Sequence, residues 1–353
     1  MKPIAPRRTM VSMTDIKTLI VPHGDVERLL PMPACIDLMA EALAATARGE
    51  ALLPLRQILR LRGGRNAFAV MPAVLGGDAG SSAIGAKVIT VFPDNDATPY
   101  DSHIGVVLYF DDRHGRLLAI IDASSVTAIR TAAVSGLATR LLANAQASSL
   151  AILGAGIQAM THLEAMLDVR PISRVRIWSR GVARCLSFAR WAQRKFGLTV
   201  EVCDSAERAV RGADIVCTVT AAREPVLLGE WLEAGVHVNA VGASIASARE
   251  LDTQAVVQSR LYVDRRESAM NEAGDFLIPR QEEAIDNAHI LGELGALVLG
   301  EVPGRLQPTD RTLFKSLGLA VEDVAAARFI YERARADNTG TWIELGGLRP
   351  SDE

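Results

Sequence analysis

No Cys-x-x-Cys pair occurs in the chain, and Cys35, Cys185, Cys203 and Cys217 combine with none of the six histidines into a zinc-binding spacing. The thiols read as reduced and structural, and no metal site is expected. No run of Lys and Arg resembles a basic tail, and a net charge of -3 leaves no electrostatic footprint for nucleic acid. No apolar run approaches the roughly 20 residues that span a bilayer. Residues 1–15 lack the apolar core of a secretory signal. The expectation is a cytoplasmic protein without membrane or nucleic-acid partners. Gly242-Ala243-Ser244 is followed by Ala246, where a nucleophile elbow needs glycine, so serine-hydrolase chemistry has little support. There is neither an internal repeat nor a low-complexity segment.

What is present is 353 residues, 49% hydrophobic and 22% charged, enough for two domains. The organising stretch runs from Ser149 to Ala159, Ser-Leu-Ala-Ile-Leu-Gly-Ala-Gly-Ile-Gln-Ala. An apolar run of strand length breaks at Gly154-Ala155-Gly156 and passes at Ile157-Gln158 into a helical pattern, as a dinucleotide-binding β-turn-α does. Gly154 permits the tight turn, Gly156 lets the backbone approach a pyrophosphate, and the helix N-terminus offers free N–H groups to the anion. Ala159 stands at the third, small position. A glycine-rich turn without a ligand gives the same pattern, but the context favours a cofactor. A second strand at Arg174 to Trp178 ends in Ser179-Arg180, where the ribose-reading residue belongs. An NAD-selective site carries Asp or Glu there, whereas Arg180 can pair with a 2′-phosphate. NADP(H) is the preferred cofactor and NAD(H) the second; a solvated arginine opening the next helix is the plain alternative.

Around this turn the periodicity divides the chain. A helix is expected over Pro33 to Arg48, followed by strands at Pro54 to Leu61, Asn66 to Leu75, Ile84 to Phe92, His103 to Phe110 and Arg116 to Ile121, a mostly antiparallel sheet. A helix over Ser125 to Leu142 places Val126, Ile129, Ala133, Val134, Leu137 and Leu141 on one stripe. Beyond Ser149, strands and helices alternate as far as Val263, the pattern of a doubly wound parallel sheet. The loops carrying Thr218-Val219-Thr220 and Val241 lie at its carboxyl edge, where such sheets bind ligands. Leu291 to Leu299 and Val321 to Arg335 read as further helices.

Three cations sit where apolar residues belong. Arg130 lies in the middle of the stripe of its helix, and an unpaired charge there costs several kcal/mol on burial. It needs an anion, either a carboxylate of the protein or one of a ligand; the helix leads toward the cofactor turn, which favours the ligand. Lys87 shares a strand face with Ile89 and Val91, and Arg56 interrupts a strand between Leu55 and Ile58. Each alone reads as a strand-edge charge with its head in water. Together, facing a nicotinamide domain, they suggest a carboxylate-binding cluster.

The motifs resemble the ornithine cyclodeaminase and mu-crystallin family. The matches are Met71-Pro72-Ala73, Ala86-Lys87-Val88 with Phe92-Pro93-Asp94, Ser102-His103 and Arg130-Thr131-Ala132-Ala133. They continue with Gly154-Ala155-Gly156-Ile157-Gln158-Ala159, Asn239-Ala240-Val241-Gly242, Phe314-Lys315-Ser316-Leu317-Gly318 and Val321-Glu322-Asp323. The resemblance implies an α/β fold: a central Rossmann-type doubly wound parallel sheet, plus a discontinuous α+β substrate and dimerisation domain. Segments are expected at 1–130, 131–310 for the cofactor domain, and 311–353 for the return to the first domain. It also implies a homodimer. By the same resemblance Arg56, Lys87 and Arg130 hold a substrate carboxylate. His103, Thr131 and Ser316 border the nicotinamide or phosphates, and Glu272 approaches the ligand.

The family's cyclodeaminases carry an aspartate shortly after a strand in a Gly-Gly-Asp or Gly-Ala-Asp context. Here the matching residue is Ser244, whose hydroxyl cannot exchange protons as a carboxylate does near neutral pH. Gly242-Ala243-Ser244 with Arg249-Glu250-Leu251-Asp252 resembles instead the mu-crystallin branch, which reduces cyclic ketimines. The expected activity is reduction of Δ1-pyrroline-2-carboxylate or its six-membered homologue Δ1-piperideine-2-carboxylate to L-proline or L-pipecolate, with Lys87 or His103 delivering the proton. An ornithine or lysine cyclodeaminase, an alanine dehydrogenase-like deaminase, and a ligand-binding protein without turnover stand as alternatives.

Overall fold

In a computed structural model the described residues are 17–61, 65–76 and 82–346; residues 1–15, read above for a secretory signal, lie outside them. The chain begins with β1 (Lys17–Val21), α1 (His23–Leu29) and α2 (Met32–Ala47). Next come β2 (Ala51–Leu52), β3 (Gln57–Arg60), β4 (Ala67–Leu75), β5 (Ala83–Val91), β6 (His103–Phe110) and β7 (Leu117–Asp122), then α3 (Ala123–Leu142). The second half runs β8 (Ser149–Leu153), α4 (Ile157–Val169), β9 (Arg174–Trp178), α5 (Val182–Phe196), β10 (Val200–Val202), α6 (Ala206–Val210), β11 (Ile215–Thr218) and β12 (His237–Ala240). It continues with α7 (Thr253–Val257), β13 (Arg260–Val263), α8 (Arg266–Glu272), α9 (Gly274–Gln281), β14 (Ile290–Glu293), α10 (Leu294–Val298) and β15 (Thr312–Lys315). The described chain closes with α11 (Ala320–Ala336) and β16 (Thr341–Glu344).

Two sheets result. The first has the order β16-β1-β7-β6-β5-β4-β2, with β3 also on β4, and is antiparallel except between β1 and β7. The second, β10-β9-β8-β11-β12-β15-β13-β14, is parallel throughout. Strand order reverses between β8 and β11, so the crevice of a doubly wound sheet opens beyond Leu153 and Thr218.

Period-2 alternation fixes which side chains enter the first core. Along β4 and β5, Ala69, Met71, Ala73, Ala83, Lys87 and Ile89 are buried, while Val70, Val74, Ile84 and Val88 are only half-buried. α11 covers the buried face; a Cβ at Gly85 would stand 3.0 Å from Val324, and Tyr109 meets Tyr331 with ring centroids 5.5 Å apart. Helix α3 lies between the two halves, against α2, α4 and α11. Asp122 caps it, accepting from the Ser125 N–H at 2.8 Å.

Several expectations change. α3 buries nearly its whole circumference, not one stripe, because Ala128, Ala132, Ser135 and Gly136 let neighbours close in; a Cβ at Gly136 would reach Ile36 at 3.0 Å. Residues 291–293 belong to β14, and only 294–298 are helical, since Ile290 pairs with Leu261 and draws the segment into the sheet. α3 runs unbroken through residue 130, and β15 pairs with β12 and β13. The second sheet therefore extends past the expected boundary at 310, and the return to the first half starts beyond β15. Arg56 precedes β3 rather than interrupting a strand.

Candidate active site

The turn after β8 carries the first half of the site. Gly154 has φ +117°, and a Cβ there would stand 2.6 Å from the Val219 carbonyl oxygen. Only glycine fits that conformation and that approach. Its N–H donates to Trp178 at 2.8 Å, and the Val219 N–H donates to Leu153 at 2.8 Å, which ties the ends of β9, β8 and β11 together. Gly156 caps α4, and a Cβ on it would meet nothing within 4 Å, so a pyrophosphate can approach the helix N-terminus. Ala155 packs partly on the core, Ile157 is exposed, and the buried Gln158 Oε1 has no hydrogen-bond partner among the described residues. Arg180 is exposed at the end of the neighbouring strand β9, whereas Ser179 turns its hydroxyl to Gly181 and Cys185. This cradle fits a dinucleotide.

Thr218 and Thr220 direct their hydroxyls toward Glu250. That buried carboxylate accepts from Thr218 Oγ1, Thr220 Oγ1 and Thr220 N at 2.7 Å each, and from Gly242 N at 2.6 Å. Burial and Asp275 raise its pKa, while Lys315 and these donors oppose the rise. Glu250 thus fixes the loops that follow β11 and β12, in which Val241 is half-buried. Its own N–H donates to Asp275, which is paired with the buried Lys315 at 2.9 Å. Ser316, buried, donates its N–H to Ala240.

The three cations converge on the other side, around the segment that joins β15 to α11. Lys87 Nζ lies 2.7 Å from Asp323, Arg130 Nε donates to Asp323 at 2.9 Å, and Arg130 Nη1 donates to Glu322 at 2.8 Å; all four side chains are buried. Arg56 Nε lies 2.9 Å from Glu272, and its Nη2 donates to the Leu317 carbonyl at 2.8 Å. Asp264 accepts from the N–H groups of Leu317 and Gly318 at 2.5 and 2.7 Å. Gly318 has φ +79°, and a Cβ there would lie 2.3 Å from Arg130 Nη1 and 2.9 Å from Nη2. A recess lined by Arg56, Met71, Arg265, Ser268, Glu272 and Gly318 opens here. The broader surface concavity at Val257, Arg280 and His289 shares no residue with it, so chemistry and not size locates the site.

The preference for a ligand anion on Arg130 is corrected by this geometry. Its Nε and Nη1 meet two carboxylates of the protein, because α11 lays its first turn against the middle of α3. Only Nη2 has no acceptor among the described residues. Burial works against the Arg130 charge, but Asp323 and Glu322 outweigh it and hold the pKa above the ordinary value. Burial lowers the pKa of Lys87 to about 8, with Arg130 adding to the fall and Asp323 resisting it. At the start of β6, the crowded surroundings of the His103 ring lower its pKa; Asp101 opposes the fall, and Lys87 and Arg130 add to it. Thr131 is buried beside Arg130.

Sequence reasoning assigned no role to Asp264, Glu322, Asp323, Asp275 or Lys315. The available signal was a pair of acidic residues inside the apolar run from Leu317 to Ala327, and a lysine inside an apolar strand.

The ornithine cyclodeaminase/mu-crystallin family model matches residues 16–338. The chain is 41% identical over 284 residues to the ketimine reductase mu-crystallin of Mus musculus, covering 80% of this chain and 86% of that protein. The structure of Thermococcus litoralis Δ1-pyrroline-2-carboxylate reductase in complex with NADH and L-proline superposes with a TM-score of 0.89 at 36% identity, over 92% of this chain and 99% of that one. An archaeal alanine dehydrogenase dimer with bound NAD superposes with a TM-score of 0.87 at 29% identity, over 94% and 100%.

Proposed function

The chain belongs to the ornithine cyclodeaminase/mu-crystallin family, and we propose that it reduces a cyclic ketimine carboxylate, Δ1-pyrroline-2-carboxylate or its six-membered homologue, with a nicotinamide cofactor. The observation that carries this reading is the meeting of the buried Lys87 and Arg130 with the half-buried Arg56 around the Gly318 turn, on the chain that leads from β15 of the cofactor sheet. Relatives that act on a ketimine or hold NADH with L-proline support it. Ser244, in the loop after β12, supplies no carboxylate for deamination.

Gly154, Gly156 and the N-terminus of α4 would hold the cofactor pyrophosphate, and Arg180 a 2′-phosphate, which favours NADPH. The bound cofactor supplies hydride to the C=N carbon. The free Nη2 of Arg130 and the guanidinium of Arg56 orient the substrate carboxylate and so fix which carbon faces the nicotinamide. Lys87 Nζ holds the proton for the imine nitrogen. With a pKa near 8 it is charged at neutral pH and close enough to give that proton up. His103, its pKa lowered, is neutral there and has no extra proton to offer.

The outer face of the first sheet supports a homodimer. Val70, Ile84, Val88, Val106, Leu108 and Phe110 form a half-buried apolar surface, and Leu59 on β3 is 65% exposed. An apolar patch of this kind suits a surface that a second copy of the chain covers.

The test is NADPH oxidation at 340 nm with Δ1-pyrroline-2-carboxylate, beside ammonia release from L-ornithine with NAD. Oxidation without ornithine turnover is expected. Ammonia release would return the cyclodeaminase reading, and NADPH binding with neither activity would leave a binding protein.

A further inference from the structure

The proposed reaction leaves Glu322 without a task, although it is among the most completely buried charged groups in the protein. Its Oε2 accepts from Arg130 Nη1 at 2.8 Å, and its Oε1 is buried with no hydrogen-bond partner among the described residues. The groups that face it come from four elements. Arg130 approaches from α3, Cys35 from α2, Asp264 from the end of β13, and Asp323 from its own helix α11; the backbone of Leu319 lies nearby. Lys87 on β5 reaches this set through Asp323.

The balance of charge is uneven. Arg56, Lys87 and Arg130 face Asp264, Glu272, Glu322 and Asp323, three cations against four carboxylates; Arg265 in the recess wall is paired with Glu267 and leaves that balance unchanged. A substrate carboxylate adds one more negative charge at short range in a site with little water to screen it. Arg130 has one nitrogen left for it, Nη2, beside the space that Gly318 leaves by having no side chain. One of the protein's own carboxylates must lose its charge for the ligand to bind well. Asp264 accepts three backbone N–H groups, and Asp323 binds two cations. Glu272 is only half-buried and is paired with Arg56 at 2.9 Å. Glu322 is fully buried with one side-chain donor, Arg130, and an Oε1 that has no hydrogen-bond partner among the described residues and on which a proton can sit.

We infer that Glu322 is a positioning residue that takes up a proton from solvent when the substrate carboxylate docks on Arg130, so that ligand binding and protonation of Glu322 are one linked event. The inference rests on the carboxylate reading of the site proposed above. Burial raises the pKa of Glu322 to about 7 against the pull of Arg130, with Asp264 and Asp323 adding to the rise, so near neutral pH either form is accessible.

The test is calorimetric titration of the NADPH-loaded enzyme with pyrrole-2-carboxylate, a planar analogue with no imine to reduce. It is run at several pH values in buffers of different ionisation enthalpy. Wild type should take up about half a proton per site at pH 7, and its affinity should fall about tenfold or somewhat more from pH 6 to pH 8. Glu322→Gln should take up about a tenth of a proton at pH 7 and weaken only about twofold over that range, the share left to Lys87. A wild-type uptake near a tenth of a proton, or a variant that keeps the full uptake, overturns the inference while the carboxylate site stands. If the variant does not fold, the wild-type proton count decides alone. If neither pyrrole-2-carboxylate nor Δ1-pyrroline-2-carboxylate binds at any pH, the carboxylate reading falls and takes this inference with it.

Discussion

Asp323→Asn keeps the shape of the side chain and removes the one charge that Lys87 and Arg130 share. Its contacts at 2.7 and 2.9 Å are both buried. At that range each corresponds to about 6 kcal/mol of attraction at an effective dielectric of 20. Desolvation of the carboxylate offsets several kcal/mol of this, and removal of one partner from such a set costs about 3–5 kcal/mol. Lys87 decides how that cost varies with pH. Burial and Arg130 lower its pKa to about 8, and Asp323 is what keeps it from falling further. In the variant the folded-state pKa drops again, while the unfolded chain keeps an ordinary lysine value. Below pH 8 the unfolded variant then binds a proton that the folded variant does not, and stability declines as pH falls by about 1.4 kcal/mol per unit. In wild type both states hold that proton below pH 8, so the lysine adds no slope. Urea unfolding should therefore show a destabilisation about 2–3 kcal/mol larger at pH 6 than at pH 8. A loss below about 1 kcal/mol, or an equal loss at both pH values, would refute the reasoning.

Gly154→Ala forces a Cβ onto the Val219 carbonyl at a φ of +117°; it should cost about 1–3 kcal/mol in urea and raise the NADPH Kd at least about tenfold, and an unchanged Kd would remove the turn from the cofactor site. Arg180→Asp should lower the ratio of NADPH to NADH efficiency about tenfold or more, and an unchanged ratio would take Arg180 out of the site. His162 and His237 are buried, which lowers their pKa to about 4 and about 3, against about 6.5 in the unfolded chain. Each contributes stability that is present above about pH 6.5 and is lost as pH falls toward the folded value, at about 1.4 kcal/mol per unit. The Tm should therefore drop steadily from pH 6.5 to 4.5, and a flat Tm over that window would refute the assignment.

Arg130→Ala is a poor probe of ligand binding by itself, because it strands Glu322 and Asp323 as buried charges and destabilises the fold. Glu322→Gln and Asp323→Asn separate the two effects better.

The sequence by itself determined the features that local period and backbone sterics encode. The strand, glycine turn and helix from Ser149 to Val169 are legible because a tight turn with positive φ admits only glycine and because apolar spacing changes from strand to helix there. Lys87 and Arg130 stand out for the same reason: a charge on an apolar face is visible within a few residues of sequence. What meets those charges was not legible. Asp323 and Glu322 lie 193 and 192 residues from Arg130 along the chain. Nothing local distinguishes a carboxylate that will be buried beside a cation from one that ends in water. Whether an arginine pairs with its own protein or with a ligand depends on where α11 docks against α3, and only the packing of the whole core sets that distance.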